Sequence, residues 1–308
     1  MSRNVLTTPV LLLTFNRPDL TREVLGAIRE ARPQDLFVAS DGPRPHVRAD
    51  DAKVTATRAL LDEMIDWPCT VHRRLADTNQ GCRVGVSSAI SWFFEHVDEG
   101  IILEDDCVPH PHFFGYCTQL LERYRHDERV MNIAGDNSAR LVPSDPTASY
   151  CFTRQPLIWG WATWKRAWDH YDSELAGWRK MRGDEAAQRA MWPDRVERRW
   201  QRRSLDRLLF RQKPDSWDLQ WSFTVAAQQA LSVTPTVNLI RNIGFGPAAT
   251  HTRALANPRA NVAVHPILPL THPAGIRRDV AIEQQIFDRC HRRAPIRAFG
   301  RRVYSRLG

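Results

Sequence analysis

The sequence predicts a doubly wound α/β fold, a sheet with helices on both faces. Over the first hundred residues, short all-apolar runs alternate with segments of helical periodicity in the order βαβαβαβ, with connections of ordinary length. Each apolar run ends in polar residues, at Asn16-Arg17, Asp41 and Glu104–Asp106. Those ends share one edge of the sheet, the edge beyond which such folds bind ligands. The chain of 308 residues, 43% hydrophobic and 25% charged, suits one large domain, with or without a small appendage.

Pro9–Phe15 reads as the first buried strand. Asn16-Arg17-Pro18-Asp19 turns into a helix, with Asn16 or Asp19 available as its cap and Leu20, Val24, Leu25 and Ile28 on one face. Asp35–Ser40 is the second strand, ended by Asp41-Gly42-Pro43. Val54, Leu61 and Ile65 mark the next helix, and Cys69–Arg73 a third strand. After the Asn79-Gln-Gly81 turn, Val86, Ile90, Phe93, Phe94 and Val97 give another helical face. The run Gly100-Ile-Ile-Leu-Glu104-Asp105-Asp106 is the fourth strand, delivering three carboxylates to the sheet edge. Three adjacent carboxylates repel one another, so a cation should join them, and oxygen-preferring Mg²⁺ or Mn²⁺ is the natural candidate.

Further on, Phe113 to Tyr124 recur at helical spacing as core, and Val130–Ala134 is a strand ended by Gly135-Asp136-Asn137. Residues 138–150 predict an exposed loop, and Tyr150–Thr153 a strand. The Trp159–Trp168 cluster either lines a sugar site or is core; Trp164 and Trp168, at i and i+4, read as core. Residues 178–212 read as solvated, Arg-rich helices. An apolar helix opens near Trp217-Asp218, Pro235–Asn238 is extended, Asn242–His251 is a Gly-bearing loop, and Val280–Phe287 is helical.

Net charge is +8, and Arg concentrates in 179–211 and from Arg289 to Arg306. No nucleic-acid reader motif accompanies that charge, so nucleic acid is not the expected partner. Six scattered Cys form no Cys-x-x-Cys pair, which points to packed thiols in a reducing cytoplasm. No apolar run reaches transmembrane length, and the first residues lack the pattern of a signal peptide.

The pieces Pro9-Val-Leu-Leu-Leu-Thr-Phe-Asn-Arg-Pro-Asp, Ser40-Asp-Gly, Asn79-Gln-Gly81 and Ile101-Ile-Leu-Glu-Asp-Asp are followed by three more. These are Trp159-Gly-Trp-Ala-Thr-Trp, Trp217-Asp-Leu-Gln-Trp and Asn242-Ile-Gly…Ala-Thr-His251. In that order the chain resembles a nucleotide-sugar-dependent glycosyltransferase of the GT-A fold, of the small bacterial family-2-like kind. It is more distantly similar to the eukaryotic N-acetylglucosaminyltransferase with a Glu-Asp-Asp motif. The resemblance implies a mixed, doubly wound sheet over 1–275, with a nucleotide-binding half (1–135), an acceptor-binding half (136–275) and a basic tail (276–308).

It also implies an inverting, metal-dependent transfer from a nucleotide diphosphate sugar, a UDP-sugar first of all, to a glycan, lipid-linked or other hydroxyl acceptor. Asp106 would hold the metal, Glu104 and Asp105 would contact the nucleotide sugar, Asp41 the uridine or ribose, and His251 would be a further metal ligand. The residues themselves suggest the rest. Arg17 can meet a diphosphate with its forked guanidinium. Asn79, Gly81 and Arg83 open a helix N-terminus suited to close nucleotide approach. Asp218, flanked by Trp217 and Trp221, suits the general base that an inverting transfer needs. Asp136 and Asn137 end a strand on the same edge and rank below these. The basic tail reads either as a solvated tail or as a peripheral contact with anionic lipid on the inner face of the membrane.

Two other functions compete. A sugar-nucleotide nucleotidyltransferase shares such a sheet, but it opens with a Gly-rich phosphate loop where this chain has Asn16-Arg17-Pro18-Asp19. A non-catalytic carbohydrate- or membrane-binding module would not need the intact acidic run.

Overall fold

In the computed structural model the described residues are 5–212, 215–245 and 257–291. His251 and the basic stretch from Arg292 onward lie outside them.

The chain begins β1 (Val10–Thr14), α1 (Pro18–Ala31), β2 (Asp35–Ser40), α2 (Arg48–Met64), β3 (Thr70–Leu75), α3 (Gly81–Phe94) and β4 (Glu99–Glu104). It continues with β5 (Cys107–Pro109), α4 (Pro111–Tyr124), β6 (Val130–Ala134), β7 (Tyr150–Thr153), β8 (Trp161–Trp164) and the single turn α5 (Lys165–Trp168). Then come α6 (Ala176–Met181), α7 (Glu185–Met191), α8 (Arg195–Arg211), α9 (Asp218–Ala227), β9 (Leu231–Pro235), β10 (Ile240–Asn242) and α10 (Val280–Ile286). A π-helical turn, Phe287–His291, extends α10.

Eight strands form one sheet in the order β3-β2-β1-β4-β8-β6-β9-β7. β1 pairs in parallel with β2 and β4, and β2 with β3. The chain thus winds outward from β1 to β3 and returns to the other side of β1 as β4. β8 runs antiparallel between β4 and β6, and β7 antiparallel to β9. This is the expected doubly wound mixed sheet.

Alternation along the strands splits the core between two faces. Val10, Leu12, Ile101 and Leu103 pack with α1 and α4, while Leu11, Leu13 and Ile102 pack with α3 and α9. All five residues of β1 are buried, as a central parallel strand covered on both faces must be.

Several local expectations are corrected. Neither Asn16 nor Asp19 caps α1: Arg17 stands at the cap position without a side-chain capping bond, and Pro18 starts the helix because its missing N–H costs nothing there. Asn16 Nδ2 donates to Asp50 Oδ1 (2.7 Å) instead. The 138–150 loop is mostly exposed only around 142–147, since Ser138, Ala139, Leu141 and Ala148 are buried. The Arg-rich segment is not merely solvated. Leu175, Trp178, Met191, Trp192, Leu205 and Leu208 close a small core of their own against Phe223 of α9. The Trp cluster contains a central strand, β8, and Trp161, Trp164 and Trp168 are buried. After α9, Ile282 and Ile286 of α10 pack on Ala134, Leu141 and Leu157.

Candidate active site

Doubly wound sheets open a crevice where the strand order reverses, here between β1 and β4. Leu13 lies opposite Glu104 in that pairing, so the residues just beyond both strands emerge together. They meet as an ion cluster. Arg17 Nη1 donates to Asp106 Oδ2 (2.9 Å), its Nε to Asp105 Oδ2 (3.2 Å), and its Nη2 to Asp105 Oδ1. The chain itself thus supplies a cation to two of the three carboxylates. Burial works against the Arg17 charge, but Asp105 and Asp106 outweigh it and raise its pKa. Burial also raises the Asp105 carboxyl, and Arg17 opposes that rise. Glu104 is pushed up to about 8, by burial first and then by Asp106 and Asp105. Among the described residues its carboxylate has no hydrogen bond.

Above this cluster lies a cavity of about 520 Å³. Arg17, Asp41, Asn79, Gly81, Glu104, Asp105, Asp106 and Asp218 all line it. Arg83 does not: its guanidinium faces Glu174 (3.4 Å). Asp41 organises the wall on the β2 side. Its Oδ1 accepts from the N–H groups of Gly42 (2.8 Å) and Gln80 (2.9 Å), and its Oδ2 from Asn79 Nδ2 (2.8 Å). Burial raises its pKa against those bonds.

The N-terminus of α3 carries an anion from within the chain. Asp215 accepts from the N–H groups of Cys82 (2.9 Å) and Arg83 (3.1 Å). Gly81, at φ +78°, makes the turn that brings them there, a conformation that disfavours a side chain. Asp215 also lines the cavity and was not among the expected site residues. Its place two residues before the Trp217-Asp218 pair was the only hint.

On the β4 side, the Asp106 carbonyl accepts from Ile243 N–H (2.9 Å), and β10 pairs with β5 just beyond. A Cβ on Gly244 would collide with the Asp106 carboxylate, so the glycine lets that loop close over it.

Asp218 starts α9, and Ser216 Oγ donates to its Oδ1. Its flanking rings turn inward. Trp217 is 2% and Trp221 0% exposed, and Trp217 stacks on Trp161 at 5.5 Å. The more exposed tryptophan at the cavity wall is half-buried Trp159, and Trp217 lines it too. Asp218, Trp159 and Ile158 also border a second cavity of about 270 Å³, walled by Asp136, Arg154, Gln155, Glu197, Trp200 and Arg259 among others. Asp136 therefore faces that second cavity. Asn137 is buried and holds the 235–236 segment through its side-chain amide.

The first cavity is lined by six carboxylates and three guanidiniums, those of Arg17, Arg44 and Arg74. Among the described residues no three His, Cys, Asp or Glu side chains converge as a metal ligand set. Asp105 and Asp106 offer the carboxylate oxygens that hard cations take, and both are engaged by Arg17.

No family model matches the chain, and no curated protein does. Among solved structures it is similar to the mannosyltransferase PcManGT from Pyrobaculum calidifontis in complex with GDP-Man and Mn²⁺. Identity there is 11% over 74% of this chain and 70% of that one, with a TM-score of 0.40. It is also similar to S. aureus TarS residues 1–349, at 11% identity over 55% and 51% of the two chains, TM-score 0.36. A third likeness is to HddC from Yersinia pseudotuberculosis complexed with GMP-PN, at 8% identity over 52% and 78%, TM-score 0.32.

Proposed function

We propose that this chain is a metal-assisted, inverting glycosyltransferase that moves a sugar from a nucleotide diphosphate sugar, first of all a UDP-sugar, to a hydroxyl acceptor. One observation carries the reading. A forked cation bridges two carboxylates, with a third beside them, at the switch point of a doubly wound sheet, beneath a cavity that also receives a carboxylate from a distant helix.

In this transfer the bond from the sugar carbon to the diphosphate oxygen breaks with its electron pair, and a bond to the acceptor oxygen forms. Negative charge grows on the departing diphosphate. Arg17 is the chain's own cation at that place, and its two-pronged guanidinium suits a phosphate. Six carboxylates against three guanidiniums would repel a diphosphate. A Mg²⁺ or Mn²⁺ ion held by Asp106, with Glu104 and Asp105 beside it, would offset most of that negative charge and act as a Lewis acid on the leaving group. Asp41 and Asn79 face the space expected for the nucleoside. Asp218 accepts the acceptor's hydroxyl proton, with Ser216 fixing its orientation.

The test is a thermal-shift screen of UDP-, GDP- and dTDP-sugars with and without Mn²⁺, followed by product analysis. Stabilisation by one nucleotide sugar, greater with metal, and release of a nucleoside diphosphate are expected. Release of pyrophosphate from a nucleoside triphosphate and a sugar phosphate would overturn the reading in favour of nucleotidyl transfer.

A further inference from the structure

We infer that the second cavity is a subsite for one neutral, hydroxyl-rich ring, a saccharide residue that presents a hydroxyl to Asp218. The inference rests on the transferase reading for the role of Asp218, and on the cavity itself for the ligand class.

The place comes from a shared wall. Asp218, Trp159 and Ile158 border both cavities, so one carboxylate faces the donor side and the second space together. The size is about 270 Å³ against about 520 Å³ for the first. Drug-sized ligands occupy about 300–1,000 Å³, so this space suits a single ring.

The charge pattern selects the ligand class. The cations within the second cavity are already paired. Arg259 Nη2 meets Asp136 Oδ2 at 2.6 Å, and Arg154 meets Glu197 Oε2 at 3.2 Å and Glu283 Oε2 at 2.9 Å. His291, pushed down to about 4 by burial and by Arg259, is neutral near pH 7. Among the described residues that line it, no uncompensated cation is left to draw a phosphate or carboxylate. Ion pairs and amides still offer both donors and acceptors, the mixture a sugar's hydroxyls need.

The walls are also built rather than loose. Arg259 is held over the Trp159 ring at 4.0 Å and donates to Ser138 Oγ at 3.0 Å. Gln155 is 7% exposed, and its Nε2 donates to Glu197 Oε1 at 2.8 Å. Its Oε1 has no partner among the described residues. A buried acceptor without a donor is uncommon in folded proteins, and a small rotation of this lining side chain would offer it to a ligand hydroxyl. Trp192 and Trp200 add apolar faces of the kind that meet sugar rings.

The experiment is saturation-transfer NMR on the full chain without nucleotide. The probes are the methyl glycosides of glucose, galactose, mannose and N-acetylglucosamine, with glucose 6-phosphate as the anionic control. At least one glycoside should receive saturation, and glucose 6-phosphate should bind no better than methyl glucoside. Gln155→Leu and Trp200→Ala should each weaken the bound glycoside about five- to tenfold, while Asp41→Ala leaves it unchanged. Circular dichroism on each variant separates lost binding from lost fold, and Gln155→Leu, nearly isosteric, serves if Trp200→Ala does not fold. Nucleotide-sugar binding with no glycoside binding would overturn this inference and leave the transferase reading standing. Undiminished glycoside binding in a folded Gln155→Leu variant would overturn it too. Glycoside binding lost in the variants, with no nucleotide bound by any preparation, would uphold the subsite and sink the transferase reading.

Discussion

Asp50 ties together the turns that follow β1 and β2. It accepts from Asn16 (2.7 Å), from Arg44 N–H (3.3 Å) and from two nitrogens of the Arg44 guanidinium (2.5 and 3.0 Å). Arg44 holds its pKa down to about 2, with Asn16 helping and burial opposing. A lowered carboxylate pKa stabilises the fold above the unfolded value near 3.8, and that contribution is lost as pH falls through about 2. We predict that Asp50→Asn costs about 1–2 kcal/mol at pH 7, since Arg44 is half exposed and screened. Urea titrations at pH 7 and pH 2.5 check this: the difference from the parent should shrink at the lower pH. Arg17→Ala strips a buried carboxylate of its partner and should cost about 3 kcal/mol by the same measurement. An unchanged midpoint would mean that Asp105 is neutral in the fold. Asp218→Asn should keep donor binding while turnover drops about 10²–10⁴-fold; transfer at the parent rate would remove Asp218 from the mechanism. The sequence marked Arg17, Asp41 and the acidic run because strand ends advertise themselves. It could not show that Arg17 would turn onto Asp105, because a forked cation is equally suited to a phosphate.

Helix α3 shows the same point at the scale of an element. Its start at Gly81 was legible from Asn79-Gln-Gly81, but the anion seated on its first N–H groups comes from Asp215, far along the chain. Asp215→Ala should cost about 1 kcal/mol, the usual worth of an N-terminal cap, and loosen the wall of the first cavity. Differential hydrogen exchange of 81–86 would detect it, and unchanged protection would mean that the cap is dispensable. Strand β8 was the least legible element. Trp161-Ala-Thr-Trp164 has the bulk of a strand but lies beside Gly160, at φ +57°, and runs straight into a helical turn. Its partners β4 and β6 both precede it, and nothing local states that it must run against them. The helices of 178–212 misled for a related reason: many Arg hide a few Trp, Leu and Met that meet only after folding.

For the whole molecule, the winding of β1 to β4 brings Arg17 and Asp106 together, and the later segments add Asp218 and the loop after β10. The site thus has contributions from both halves of the chain. Asp106→Ala should leave the fold intact and weaken metal-dependent nucleotide-sugar binding by more than about tenfold. Calorimetry with and without Mn²⁺ measures this, and an unchanged metal dependence would move the ion elsewhere. Among the described residues no helix is long and apolar enough to cross a membrane.

The reversed strand has a consequence for synthesis. β4 leaves the ribosome with only β1 beside it, and its other edge stays open until β8 has been made and has turned back. Until then the nascent half-sheet exposes the unpaired backbone of an apolar strand, a template for sticking to neighbouring chains. A chain stopped at residue 155 should therefore aggregate more than one carried past Trp164 and its helical turn, in which β8 covers the edge of β4. In a living cell the window between those two lengths is when this protein would most need a chaperone.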